Sequence, residues 1–244
     1  MGSAGDVARR GAELFALAAQ EAAVGRGVFA AALSGGRTPR SMYEQLARRS
    51  LAQKVPWRRV HLYWGDERCV PPDDEASNYG MARDAFIRHV ALPEANVHRM
   101  RGEDDPERAA SGCDDELHEM ARRQRPPGEL PVFDLVLLGL GPDGHTASLF
   151  PHTAALREHE RLCVVNEGEK TGLRLTVTFP VINAARRVVF LVTGAEKAGM
   201  VAEVLEGRRI PDAIPAQRVA PERGTLTWLL DGAAAAGLGP SASS

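Results

Sequence analysis

The chain's strongest candidate for proton-transfer chemistry is His145, in the stretch FDLVLLGLGPDGHTASLFP at 133–151. Imidazole is the side chain most often used as a general base, and Asp143 lies two residues before it. Three readings of this stretch compete. Gly139-Leu140-Gly141-Pro142-Asp143-Gly144 formally matches the GxGxxG dinucleotide fingerprint, but the bare pattern is weak outside its βαβ context. It falls mid-chain, Pro142 removes an N–H from any pyrophosphate cradle, and no acid ends a clear second strand at the required distance. The second reading is a glycine turn with an ordinary, hydrogen-bonded histidine. The third is a catalytic loop with His145 as general base, which gains weight if another anion-suited loop exists elsewhere.

One does. An apolar run at 28–33 leads into Ser34-Gly35-Gly36-Arg37-Thr38-Pro39 and then a helical segment carrying Met42, Tyr43 and Leu46. Strand, glycine loop and helix with proline near its first turn make an anion site at a helix N-terminus. Gly35 and Gly36 let backbone N–H groups approach a phosphate, and the Ser34 and Thr38 hydroxyls add donors. The competing reading is a glycine turn capped by Thr38. Arg68 closes Gly65-Asp66-Glu67-Arg68 and is either a ligand for an anion or a brace paired with Asp66 or Glu67. Lys197 falls in the first turn of a helix predicted over 195–205. A cation there opposes the helix dipole, and an anion bound at the same terminus would compensate.

These residues need elements to position them. The pattern predicts a helix over 6–24, ended by Gly25 and Gly27, then strands over 28–33 and 60–64. Asn78 starts a helix running toward Val90, and the charged segment 103–125 reads as a further helix despite Gly112. Pro126-Pro127-Gly128 breaks the chain before a central strand at 133–138, apolar except for Asp134. Residues 145–150 have helix-forming character, which would set Gly144, His145 and Thr146 against a helix N-terminus. Strands follow over 162–165, 173–179, 188–192 and 226–230, and the Ala/Gly/Ser tail from Ala233 is expected to fray. Without internal repeat or linker, the expectation is one α/β domain over 1–232 with a tail at 233–244.

Composition narrows the function classes. With 244 residues, 44% hydrophobic, 25% charged and a net charge of −2, the chain reads as a globular protein with no basic excess for nucleic acid or an anionic membrane. Asp6 and Glu13 interrupt any secretory core, Asp6 stands where myristoylation wants Ser or Thr, and no apolar run is long enough to span a bilayer. Cys69, Cys113 and Cys163 are odd in number and lack CxxC spacing, which suggests neither a disulfide framework nor a zinc site. The expectation is a cytoplasmic, reduced protein. There is no GxSxG elbow, and His145, His152 and His159 lack HExxH spacing.

Five blocks, in order, resemble the 6-phosphogluconolactonase family: ALSGGRTP at 32–39, GDER at 65–68, GLGPDGHTASLFP at 139–151, RLTVTFPVINAARRVVFLVTGAEKA at 174–198 and IPAQRVAPERGTLTWLLD at 214–231. The histidine block is specific to that family. SGG-x-TP and TG-x-x-KA are shared with its relatives, the glucosamine-6-phosphate deaminases. The resemblance implies an α/β fold with a Rossmann-like parallel sheet flanked by helices, of the glucosamine-6-phosphate deaminase/ribose-5-phosphate isomerase type. It implies hydrolysis of 6-phospho-D-glucono-1,5-lactone to 6-phospho-D-gluconate, the second step of the oxidative pentose phosphate pathway, with no metal or organic cofactor.

Carried over by matched motif, His145 is the general base, with Asp143 beside it, and Arg68 is a substrate-binding arginine of the catalytic set. Ser34, Gly35, Gly36, Thr38 and Gly144 are the substrate-binding loops. Arg174 and Lys197 align with cations that hold the 6-phosphate in the deaminase relatives. Arg37 stands where the family often has a smaller residue and is not counted as a ligand. The chemistry agrees: a δ-lactone is an activated ester, so water and one imidazole suffice, with an oxyanion donor from a glycine-loop N–H or Arg68. A deaminase or isomerase would want an acid downstream of Gly-His, and 147–151 has none. A non-catalytic sugar-phosphate sensor would not need His145. The implied partner is a small sugar-phosphate lactone, with no nucleic acid and no membrane; a monomer is favoured, with the oligomeric state left open.

Overall fold

A computed structural model describes residues 2–124, 127–169 and 171–239. Its first helix, α1 (Ala4–Arg26), begins where the Ser3 hydroxyl accepts the Asp6 N–H while the Asp6 carboxylate accepts the Ser3 N–H, a reciprocal cap. Val7, Ala8, Ala12, Phe15, Ala19 and Ala22 bury one stripe of it, and Gly27 ends it in a left-handed conformation, φ 79°. The chain continues through β1 (Phe29–Leu33), α2 (Arg37–Leu46), α3 (Arg49–Ala52), β2 (Val60–Trp64), β3 (Asp66–Arg68), α4 (Asn78–Ala85) and α5 (Pro106–Arg123). Then come β4 (Leu135–Leu138), β5 (Cys163–Gly168), β6 (Gly172–Val177), α6 (Phe179–Asn183), β7 (Arg187–Val192), α7 (Ala198–Leu205) and β8 (Thr225–Leu230).

Five strands form a parallel sheet in the order β2-β1-β4-β7-β8. All residues of β1 and β4 are buried, as expected of inner strands covered on both faces. One face packs on α1, α2 and α4 through Phe15, Phe29, Met42, Leu62, Trp64 and Phe86. The other packs on α5, α6, α7 and a second sheet through Phe133, Val136, Leu138, Leu175, Ile182 and Phe190. This layering is the expected α/β architecture. The winding reverses between β1 and β4, so the loops after those two strands stand side by side, where ligands bind in open α/β sheets.

Local pattern missed three features. The strands predicted at 162–165 and 173–179 do not join the main sheet. They form β5 and β6 of a separate antiparallel sheet, order β3-β6-β5, and Asp66-Glu67-Arg68, expected only as the end of the 60–64 strand, is its third strand. The helix predicted over 145–150 is absent; Thr146 and Leu149 bridge across a tight turn, with Ala147 at φ 48°. The helix from Asn78 stops at Ala85 and gives way to a 3-10 turn at Ile87–His89. Arg125 and Pro126, at the end of the charged segment and its break, lie outside the described residues, as do 240–244 of the tail. Within 233–239 the chain makes turns in which Ala234 is fully buried and its N–H is taken by the Asp231 carboxylate at 2.8 Å.

Asp134, the lone acid in the central run, is 4% exposed. Its carboxylate accepts the Ala30 N–H at 2.9 Å and pairs with Arg26 at 2.6 Å and Arg186 at 3.4 Å. It thus ties the end of α1 and the entries to β1, β4 and β7 to one point. Asp134→Ala leaves the buried Ala30 N–H without its acceptor, while both arginines can rehydrate. The expected loss is about 2–3 kcal/mol of unfolding free energy, the scale of a charge-assisted hydrogen bond. Asp134→Asn, which keeps an acceptor for Ala30, is expected to lose roughly half of that. Urea titration with an unchanged m-value checks both, and equal losses would show that the ion pairs carry the whole effect.

Candidate active site

A cleft of about 840 Å³ opens at the carboxyl ends of the parallel strands. Ser34, Asp66, Gly139, Thr193 and Asp231, from the exits of β1, β2, β4, β7 and β8, all line it. Of the residues singled out by sequence, Ser34, Gly35, Gly36, Thr38, Arg68, His145 and Lys197 converge on this cleft. Asp143 and Gly144 stand behind His145 and do not line it. Arg174 does not line it either; it lies on β6, directly across from Arg68 on β3.

His145 is held on three sides. Its Nδ1 is 2.5 Å from Asp143 Oδ1, and the same oxygen accepts the His145 N–H at 3.2 Å. Its ring meets Phe150 edge-on at 4.8 Å between centroids. It also lies against Gly141, where a Cβ would overlap the imidazole, so that position excludes every larger residue. Burial pushes the Asp143 carboxyl up, but the His145 charge and hydrogen bonds outweigh it and hold the carboxyl below its usual value. An ionised carboxylate only accepts, so a neutral His145 carries its hydrogen on Nδ1 and leaves Nε2 free as a base. By the sign of that shift, the pair's contribution is present above the ordinary carboxylate pKa and lost as pH falls through the depressed one.

The turn around His145 is fixed by distant partners rather than by a helix. Thr146 Oγ1 donates to Gly139 O at 2.9 Å, Ser148 Oγ to Asp66 at 2.7 Å, and Asn166 Nδ2 to Ser148 O at 2.8 Å. The Ala216 N–H reaches Gly144 O at 2.9 Å. On the other side of the cleft, Thr38 is not a cap. Gly36 precedes α2 with no side-chain cap, and Thr38 Oγ1 bonds Thr193 Oγ1 at 2.7 Å, joining the β1 and β7 loops. Tyr43 Oη clamps Ser34, donating to its carbonyl at 2.8 Å and accepting its N–H at 3.0 Å.

Arg68 makes no ion pair with Asp66 or Glu67. Its guanidinium donates to Ala76 O at 3.0 Å and to Asn78 Oδ1, both neutral acceptors. Burial pushes the Arg174 guanidinium down and the Arg68 charge adds to the effect, while the nearby Asp66 and Glu67 charges oppose it. Lys197 closes the 3-10 turn Ala195–Lys197 just before α7, and its Nζ donates to Leu140 O at 2.8 Å, so a carbonyl holds it at that helix start. Among the described residues, none of Arg68, Arg174 and Lys197 has a carboxylate ion-pair partner.

Sequence reading passed over Asn78 and Glu67. Asn78 lines the cleft, fills the space a Gly35 side chain would take, receives Arg68 and donates through Nδ2 to Asp66 O at 2.8 Å. The Glu67 carboxylate, 2% exposed, accepts N–H groups from Arg68, Asn78 and Tyr79 at 2.7–2.8 Å and the Ser77 hydroxyl at 3.1 Å. The only local signal was Ser77-Asn78 at a predicted helix start. Among the described residues, no group of three or more His, Cys, Asp or Glu side chains is placed to hold a metal ion, and no helix is long and apolar enough to cross a membrane.

Residues 2–228 match the family described as glucosamine-6-phosphate isomerases/6-phosphogluconolactonase. The chain is 48% identical over 217 residues to the 6-phosphogluconolactonase of a Synechocystis species, covering 88% of this chain and 87% of that one. It superposes on the structure of 6-phosphogluconolactonase from Trypanosoma brucei with a TM-score of 0.85 at 28% identity, covering 98% and 97% of the two chains. A monomeric glucosamine-6-phosphate deaminase shares the fold, with a TM-score of 0.81 at 21% identity over 98% of both chains. Matched along nearly its whole length, this chain belongs to the glucosamine-6-phosphate isomerase/6-phosphogluconolactonase family.

Proposed function

We propose that the protein hydrolyses 6-phospho-D-glucono-1,5-lactone to 6-phospho-D-gluconate, with His145 as general base toward water. One observation carries the reading: an imidazole with its free nitrogen set by Asp143 shares a cleft with Arg68 and Lys197, cations with no carboxylate ion-pair partner among the described residues. The relatives named 6-phosphogluconolactonase point to the same substrate. In this mechanism the 6-phosphate sits on the Ser34–Thr38 loop at the start of α2, where backbone N–H groups and the helix dipole favour an anion. Lys197 approaches from the facing loop.

The lactone carbonyl then lies toward His145. Nε2 takes a proton from water as the hydroxide oxygen bonds to C1. Arg68, with Arg174 reinforcing the positive field, stabilises the oxyanion. Collapse of the tetrahedral intermediate breaks the C1–O5 bond, the imidazolium returns its proton to O5, and the new carboxylic acid ionises. No covalent enzyme intermediate is formed. Asn78 serves as a positioning residue for Arg68.

Freshly generated lactone, with spontaneous opening subtracted and glucosamine 6-phosphate as control, tests the assignment; ammonia release from the control in place of lactone hydrolysis would overturn it. His145→Asn is expected to lower kcat by about 10²–10⁴-fold, the usual scale of general-base catalysis, with 6-phosphogluconate binding retained. A folded variant of near wild-type rate would sink the mechanism. Lys197→Ala is expected to weaken 6-phosphogluconate binding by about 1.5–3 kcal/mol and to matter far less for the unphosphorylated lactone. Equal losses with both ligands would make Lys197 structural.

A further inference from the structure

The two loops that meet across the phosphate end of the cleft carry a pair of opposite charges with no part in the chemistry above. Arg37 opens α2, and its guanidinium is 3.5 Å from the Glu196 carboxylate on the β7 loop. Both residues line the cleft, and their side chains are 95% and 59% exposed. Below them, the Thr38–Thr193 hydroxyl bond holds the same two loops together. Glu196 does not point away from the cleft's edge. It folds back over its own turn, so that a Cβ on Gly194 would overlap both carboxylate oxygens. A carboxylate therefore stands over the β7 loop, whose Thr193 is bonded to Thr38 of the loop that the proposed function assigns to a phosphate.

We infer that Arg37 and Glu196 are an exchangeable pair that sets phosphate affinity. On binding, the Arg37 guanidinium leaves Glu196 for the phosphoryl oxygens, and the stranded Glu196 carboxylate opposes retention of the anion. The inference rests on the proposed function's placement of the phosphate at the Ser34–Thr38 loop. Three physical points carry it. An ion pair this exposed is weak, so exchanging its partner costs little. A guanidinium's planar fork matches phosphate better than a single carboxylate oxygen at 3.5 Å. Glu196 is Arg37's sole ion-pair partner among the described residues, so no second carboxylate holds the guanidinium back.

Both charges act on phosphate binding and not on the reacting carbonyl, so their effects belong in KM and product affinity, with kcat unchanged. They also have opposite signs, which a merely structural pair would not produce. The experiment is calorimetric titration of wild type, Arg37→Ala and Glu196→Gln with inorganic phosphate and with 6-phosphogluconate at low and high salt, beside lactone kinetics. Arg37→Ala is expected to weaken both ligands about five-fold, and Glu196→Gln to tighten both about three-fold. Both effects are expected to shrink at high salt and to be absent for the unphosphorylated lactone. Weakening by Glu196→Gln, or no change in Arg37→Ala, would overturn the inference while leaving the lactonase reading intact. A wild-type protein that neither hydrolyses the lactone nor binds these anions would overturn both.

Discussion

The site depends first on a buried carboxylate that does not itself line the cleft. Glu67 collects three backbone N–H groups and a hydroxyl from Arg68 and from Ser77–Tyr79. Burial pushes its carboxyl up, against those N–H groups, and the Asp66 charge adds to burial. The fold accepts that cost because one side chain satisfies the open end of α4 and the turn out of β3 together. Asn78 is thereby set over Gly35, where it meets Arg68 and Asp66, and Asp66 in turn receives Ser148 from the histidine turn. Three of the loops around the cleft are thus referenced to one another through a polar network with its members paired, the condition under which such networks specify a single arrangement.

Charge is distributed in the opposite way on the ligand side. Elsewhere many arginines are matched to acids, as Arg99 is to Glu103 and Arg218 to Asp212. At the strand exits Arg68, Arg174 and Lys197 are satisfied instead by carbonyls and an amide. Neutral acceptors orient a cation without cancelling its field. Arg68 and Lys197, without an ion-pair partner among the described residues, thus face the cleft beside the acids Glu44, Asp66, Glu196 and Asp231, an arrangement that a chain net charge of −2 does not reveal.

Much of the main sheet was legible because its strands are apolar runs bounded by glycine, and β1 and β4 are buried along their full lengths. The motif loops were legible because glycine, proline and histidine punctuate them. What escaped has a common cause: it is decided by residues far away in the chain. Asp66-Glu67-Arg68 has no strand pattern, and it becomes one only because Thr176, Leu175 and Arg174 pair with it. Ala147-Ser148-Leu149 favours helix locally, but Asp66, Asn166 and Thr176 draw it into a tight turn, overriding propensity. Asn78 looks like an ordinary helix-start residue until the fold brings Gly35 beneath it. Arg174 was recognised by motif, yet its place outside the cleft lining follows from the strand register and could not be read from local sequence.

The seat of His145 on Gly141 leaves 24% of its side chain in contact with solvent. Many active sites close to exclude water, because water would divert a reactive intermediate. For a reaction whose second reactant is the solvent, that hazard becomes supply. A base anchored by Asp143 and Phe150, with its rim wet, can be rigid without being sealed. The chemistry itself therefore does not require the cleft to seal before water is activated.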